Sequence, residues 1–368
     1  MVLHSSIHVH ADNQTPMATN KYLFIRGLRE ATHTVFSVQD GQKTYYDPEF
    51  GRKVAYSSGQ QVKRSLLDAV SEALDERRAP ITFNRKITKD NAIEDKEPWS
   101  PCDPQYADQL LGGWMRAKSN GGTVKRRSPL SISAMRPLHP LLAGLARESA
   151  SFDRSDDPEH HPVRVVNADG EEMSEEDIQD FLTSNDRTLP RRNWIPEDQV
   201  GPRAHGLYVF DVAIDLTRLF TVSTNQHEPE LSAEKIEELK EAGWTLSESG
   251  EDLTCPEERR NELTEALAAG LINWRLTSNQ SRTYSPQATL ALAMSDDANR
   301  VTGSIRADLA EEDDNKAVPV IETVDGVRTY VMPACKSHVA GVTASFDALD
   351  AAQRDIASHI QSFTADLG

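Results

Sequence analysis

The chain has 368 residues, 38% hydrophobic and 27% charged, enough for one large domain or two smaller ones with a full core. No apolar run approaches the ~20 residues that span a bilayer, and the formal net charge of −18 argues against a generally basic, nucleic-acid-binding surface. Cys102, Cys255 and Cys335 lie far apart with neither C-x-x-C nor zinc spacing, which points to a reduced, cytoplasmic setting.

Residues 1–17 lack a basic start and a long apolar centre. They read as a disordered leader rather than a secretory signal, with Met17 as a second candidate start. "NKYLFIRGLREATHTVFSV" (20–38) is rich in β-branched and aromatic residues and predicts one or two strands. "QDGQKTYYDPEFGRK" is turn-rich. In "YSSGQQVKRSLLDAV", Val62, Leu66, Leu67, Val70 and Leu74 recur at helical spacing, which predicts a helix from about Gln60 to Glu76 capped by Ser57 or Ser58. "APITFNRKI" suggests a strand. From Thr88 to Arg203 regularity fades, apart from a short helical piece at "PQYADQLLGGWMRA" and a strand in "GGTVKRRSPLSISAM"; the remainder reads as an irregular insertion.

"AHGLYVFDVAIDLTRLFTV" (204–222) alternates at Leu207, Val209, Val212 and Ile214 and predicts a strand. "SAEKIEELKEAG" is a helix with Ser232 as cap and Gly243 as stop, and a longer helix follows Pro256. "QATLALAMS" and "VRTYVMP" are strands, and "SFDALDAAQRDIASHIQSFTADL" is a closing helix. This order predicts an α+β fold with an antiparallel sheet.

Charge is unevenly placed. Acids concentrate in 148–186, in 228–265 and around "DLAEEDDN", whereas 17–128 holds roughly 19 Lys and Arg against roughly 14 Asp and Glu, and such patches matter more than totals. Within the basic part, the helix start at Ser58–Arg64 gathers what an anion needs: unpaired backbone N–H groups, a glycine allowing close approach, Gln60 and Gln61 as donors, and the cations Lys63 and Arg64. The alternative is an ordinary capped helix with two solvent-facing cations. "RAKSNGGTVKRRSPLS" places Arg116, Lys118, Lys125, Arg126 and Arg127 around a glycine turn, suited to bidentate phosphate contacts or simply a solvated basic turn. "TSNQSRTYS" offers Asn279, Gln280, Arg282 and Tyr284, the mixture that often holds single-stranded nucleic acid, or a plain polar loop.

Enzyme signatures are missing: there is neither G-x-x-x-x-G-K-[ST] nor G-x-S-x-G. His8 and His10, and Glu159 to His161, fall in expected coil, so no metal and no cofactor is expected. Asp211 and Asp215 would share one face of a strand, where turn capping or pairing with an arginine is the expected role.

Four elements in order, "KYLFIRGLREATHTVFSV", "YSSGQQVKRSLLDAV", "LLGGWMRAKSNGGTVKRRSPLSIS" and "GLYVFDVAIDLTRLF", resemble the DevR-like backbone subunit of type I CRISPR Cascade complexes, in the RAMP superfamily. The resemblance covers about half of the chain. It implies a modified RRM-like, ferredoxin-type palm (18–87, 204–222 and 257–368), a large finger-like insertion (88–203) and a thumb hairpin. The acidic segment 223–256 is the candidate thumb, although it is more acidic and helical than a hairpin should be; "DGQKTYYDPEFGRK" is an alternative hairpin reaching RNA. It further implies a non-catalytic subunit that lines up in several copies along a CRISPR RNA, grips the backbone without reading sequence, and leaves bases to pair with target DNA, beside other Cascade subunits. Ser58, Gln60, Gln61, Lys63, Arg64, Arg126 and Arg127 would then meet RNA, as would Arg26 and Arg29 on the first strand. Arg116 and Lys125 belong to the same basic stretch, and Asn279, Gln280 and Arg282 join on composition alone. Two rival readings are a RAMP-type endoribonuclease using Asp40 or Asp47, and an acidic protein adaptor.

Overall fold

The computed structural model describes residues 20–36, 41–117, 123–157, 159–276 and 285–365. The chain runs through β1 (Tyr22–Thr34), β2 (Thr44–Asp47), β3 (Arg52–Ala55), α1 (Gly59–Ala73), a short ribbon of β4 (Arg85–Ile87) and β5 (Ile93–Asp95), and α2 (Ala107–Gly112). Paired strands β6 (Trp114–Ala117) and β7 (Thr123–Arg126) follow, then β8 (Leu130–Ile132), β9 (Arg136–Pro137) and β10 (Ala143–Ala146). An excursion carries β11 (Ala150–Asp153), α3 (Glu175–Ser184) and β12 (Arg192–Ile195) before β13 (Arg203–Asp215) returns. Beyond it lie β14 (Thr221–Ser223), α4 (Ala233–Glu241), β15 (Thr245–Leu246), β16 (Asp252–Thr254) and α5 (Glu257–Asn273). The chain closes with β17 (Thr289–Ser295), α6 (Ala298–Ser304), β18 (Ile305–Ala310), β19 (Asp313–Ile321), β20 (Arg328–Val331) and α7 (Ala348–Thr364).

The expected α+β architecture with an antiparallel sheet is present. The central sheet has the order β10-β13-β1-β17-β20, with β8 and β9 also bonded to β13. Its two long strands, β1 and β13, pair antiparallel from Tyr22 opposite Asp215 to Thr34 opposite Ala204. Alternation along β1 gives the sheet two covered faces. On one side Leu23 and Ile25 sit at 0–1% exposure beneath the helices, and Gly27 leaves room for the Phe210 ring, which a Cβ would meet at 2.2 Å. On the other, Leu28 joins Leu207, Val209, Val301, Ile305 and Val331 in a second apolar cluster under α6.

Helix α1 buries Val62, Leu66, Leu67 and Val70, and the Ser58 hydroxyl accepts from the Gln61 N–H, so its start agrees with the sequence pattern. Helix α5 crosses it closely at Gly270, where a Cβ would fall 2.6 Å from Val70 Cγ2. Helix α4 takes Ser232 as its cap, and Gly243 beyond its end adopts φ +88°.

Three boundaries differ from the sequence expectation. The compact unit that separates from the rest is 145–203, not 88–203. Residues 88–144 are woven into the main body: α2 buries Leu110 and Leu111, and β8 and β9 extend the central sheet through β13. The acidic 223–256 segment is not a projecting hairpin. It forms the β14-β16-β15 sheet with α4 and buries Leu231, Leu239, Trp244 and Leu253, because its helix and strands share an apolar side. Among the described residues the longest two-stranded hairpin is β18–β19, with Glu311 and Glu312 at its turn. The expected strand in "APITFNRKI" shrinks to Arg85–Ile87, exposed throughout.

The 145–203 unit has no buried residue among those described. Local bonds hold it instead: the β11–β12 ladder, the Ser174 cap of α3, and Arg192 Nη2 donating to Asp153 at 3.1 Å. Among the described residues no helix is long and apolar enough to cross a membrane, and no group of three or more His, Cys, Asp or Glu could hold a metal ion. Cys102, Cys255 and Cys335 are free thiols. Burial pushes the Cys255 thiol up to about 12 and the Cys335 thiol up to about 11, so neither is a nucleophile at neutral pH.

Candidate nucleic-acid interface

The start of α1 is built tightly against β8. A Cβ on Gly59 would lie 2.7 Å from the Ile132 carbonyl oxygen and 3.1 Å from Ser133 C, so this glycine serves close packing of backbone on backbone. Ser57 pairs with Met135 through two backbone bonds, Ser57 N–H to Met135 O at 2.9 Å and the reverse at 3.0 Å, and its hydroxyl donates to Gln61 Oε1 at 3.0 Å. Lys63 turns inward and donates to the carbonyls of Gly112 (3.0 Å) and Leu130 (3.3 Å). Burial, reinforced by Arg126, lowers its pKa to about 8. Gln60 is exposed, and the exposed Arg64 side chain is bonded to Asp68 at 3.1 Å.

Several cations expected at RNA are used inside the fold. Arg26 donates to Asp211 through Nε (2.6 Å) and Nη2 (3.2 Å), while its Nη1 caps α6 at the Ile305 and Thr302 carbonyls. Arg29, 3% exposed, lies 3.8 Å over the Trp274 ring and donates to the Ile272 carbonyl; burial lowers its pKa to about 9. Arg126, 2% exposed, donates to the carbonyls of Arg218 (2.7 Å), Thr221 (2.8 Å) and Arg127 (3.1 Å). Arg26, Arg29 and Arg126 are therefore corrected from surface ligands to internal cross-links, because their strands are covered where these side chains point. Lys125 and Arg127 are exposed, and Arg116 is half-buried. Asn279, Gln280, Arg282, Lys118 and Asp40 lie outside the described residues.

The two strand carboxylates behave as the spacing suggested. Asp211 binds Arg26 and lies 3.7 Å from Arg136, and Asp215 accepts from the Thr217 N–H and hydroxyl. Asp47 accepts from the Phe50 N–H at 2.9 Å within the β2–β3 turn.

Beside the α1 start lies the hairpin of "DGQKTYYDPEFGRK", which the sequence offered as the alternative segment reaching RNA, together with groups that the sequence did not single out one by one. The β2–β3 hairpin sets Tyr46 opposite Lys53, both exposed, with Tyr46 at 64%. Tyr45 packs edge-on against Tyr56, ring centroids 5.7 Å apart. Arg136, its side chain half exposed, lies close enough to oppose the upward pull that burial and Asp47 exert on the Tyr45 hydroxyl. The Ser57–Met135 bridge joins the α1 start to the residue before β9, and the Tyr56 N–H, donating to the Lys43 carbonyl at 3.2 Å, joins it to the hairpin. Tyr45, Tyr46 and Tyr56 thus belong to the same side as Lys53, Arg136 and Gln60, with Asp47 and the exposed Glu49 in the hairpin turn. Cations that neutralise phosphate beside faces that stack on bases are what a single strand of RNA requires. The turn-rich composition of "QKTYYDPEFGRK" signalled the hairpin; the lone Arg136 gave no sequence signal.

No protein-family model and no curated protein matches the chain. Over 93% of its length it is similar to a chain of a solved "CRISPR RNA-guided surveillance complex, pre-nicking", covering 89% of that chain at 11% identity and a TM-score of 0.39. It is also similar over 93% of its length to a chain of a "CRISPR RNA-guided surveillance complex", covering 84% of that chain at 11% identity and a TM-score of 0.36. At this identity no residue role transfers from those chains.

Proposed function

We propose that this chain is a non-catalytic RNA-binding subunit of a CRISPR surveillance complex, several copies of which line a CRISPR RNA and hold its ribose-phosphate backbone without reading sequence. Bases left free would pair with target DNA, and other Cascade subunits would complete the assembly. The observation that carries the reading is the tyrosine-and-cation surface of the β2–β3 hairpin, β9 and the α1 start. It places Tyr46, Lys53 and Gln60 at solvent, with the half-exposed Arg136 side chain beside them and 3.7 Å from Asp211, in a chain of net charge −18. Phosphate neutralisation by such cations gives sequence-tolerant binding that weakens steeply with salt. Sequence information would come from base pairing, with the protein recognising backbone and shape.

The test is RNA retention on purification from a host expressing the guide RNA. Lys53→Ala with Arg136→Ala should lower the RNA recovered per mole of protein several-fold while the melting temperature stays within a few degrees. Undiminished RNA in that folded variant contradicts the reading.

A further inference from the structure

A second anion-seeking surface lies beside β7. A cleft of about 930 Å³ opens between that strand and the chain segment 218–230. Lys125 and Arg127 stand exposed on one wall; the other offers the exposed Asn225, Gln226 and His227. Its acids are largely spoken for. Glu230, 6% exposed, is bonded to the Arg218 guanidinium and accepts from the Ser223 N–H at 2.9 Å, with Arg126 Nε 3.9 Å away. Only Glu228 stands exposed as an acid along the lining.

The two walls are fixed to one another before any ligand arrives. The Lys125 N–H donates to the Pro229 carbonyl at 2.9 Å, Trp114 Nε1 donates to the Glu230 carbonyl at 2.7 Å, and buried Arg126 bridges from β7 to the Arg218 and Thr221 carbonyls. Cross-links from both β6 and β7 thus reach a segment that, for the side-chain bonds, lies 92 to 116 residues away in sequence. Preorganised cations facing neutral donors suit a phosphodiester, whose charge takes the cations and whose sugar and ester oxygens take the amides.

We infer that this cleft binds the phosphodiester backbone of a single nucleic-acid strand, with Lys125 and Arg127 as phosphate contacts and Asn225 and Gln226 as neutral donors. The inference rests on the RNA-binding reading above and adds to it a second wall, drawn from 218–230, that no sequence motif marked. An acidic protein segment is the competing occupant, and the peptide arm of the experiment separates the two.

The experiment uses the full chain and a labelled single-stranded RNA of mixed sequence, with anisotropy titrations over a range of KCl. Lys125→Gln with Arg127→Gln should weaken binding roughly tenfold and reduce the slope of log K against log salt by about 0.7 per cation removed. Asn225→Ala with Gln226→Ala should weaken binding several-fold and leave the slope unchanged. If neither variant changes affinity or slope while Lys53→Gln with Arg136→Gln does, the cleft inference fails and the functional reading stands. If the unmodified chain binds no RNA, both fail. Displacement of an acidic peptide from the cleft, with RNA affinity unchanged in the cleft variants, would instead assign it to a protein partner and overturn the inference.

Discussion

Arg126 and Arg127 are neighbours in one basic run, yet they should respond to substitution in opposite ways. Arg126→Met removes a guanidinium that donates to three carbonyls, those of Arg218, Thr221 and Arg127, at 2.7, 2.8 and 3.1 Å. The three bonds are part-buried, so each acceptor left behind costs about 1–2 kcal/mol, toward the lower end for a group stranded without a partner. The contact to Glu230 at 3.9 Å adds little, since that carboxylate keeps Arg218 and the Ser223 N–H. Methionine restores part of the packing volume. The sum is a destabilisation of about 3–5 kcal/mol. Urea unfolding followed by tryptophan fluorescence reads it directly, Trp114 lying with its ring 5.7 Å from the Arg126 guanidinium carbon. Arg127→Gln should leave the unfolding midpoint almost unchanged and lower RNA affinity. The reasoning is refuted if Arg126→Met unfolds within about 1 kcal/mol of the unmodified chain and loses RNA as Arg127→Gln does. That result would make Arg126 a ligand at the surface.

Three further outcomes are expected. Gly59→Ala should cost about 1–3 kcal/mol in a thermal melt, because its Cβ would press on the Ile132 carbonyl at 2.7 Å, whereas Gly201→Ala, with open space around it, should be silent; equal melts would remove the α1–β8 contact from the account. His359, whose Nε2 has no hydrogen-bond partner among the described residues, is held below its usual pKa by burial and by Arg328, against an opposing pull from Asp296. The unfolded chain therefore binds the proton more readily, so this contribution is complete above about pH 6.5 and is lost as pH falls through the folded value. Melting temperature against pH should then fall more steeply on the acid side for the unmodified chain than for His359→Gln, and parallel curves would contradict this. RNA incubated with the chain and Mg²⁺ should remain intact, and gel electrophoresis showing cleavage that Asp47→Ala abolishes would favour the endoribonuclease reading.

Much of the fold is legible because its long elements are periodic. Val62, Leu66, Leu67 and Val70 with Ser58 define α1, and Leu207, Val209, Val212 and Ile214 define β13. The 88–144 stretch is opaque because its strands have two to four residues and α2 only six, too few for a period to show. The site is where chemistry alone misleads. Lys63 stands three, four and seven residues before Leu66, Leu67 and Val70, on the apolar side of its own helix. Arg126 shares strand parity with buried Val124, and Arg29 with Leu23 and Ile25. Parity and helical spacing, weighed beside charge, distinguish these buried cations from the exposed Arg64, Lys125 and Arg127, which charge alone grouped with them. The second wall of the cleft carried no such sign, since Asn225, Gln226 and His227 face β7 only after the chain has folded back through β13 and β14.

The most direct test of the account is the affinity of the full chain for single-stranded RNAs of unrelated sequence, measured across a range of salt. Backbone binding by exposed lysine and arginine predicts affinities that agree within a few-fold among sequences and a log K that falls linearly with log salt, less steeply once Lys53 and Arg136 are changed to glutamine. Binding confined to one sequence, or affinity that ignores salt, would contradict it.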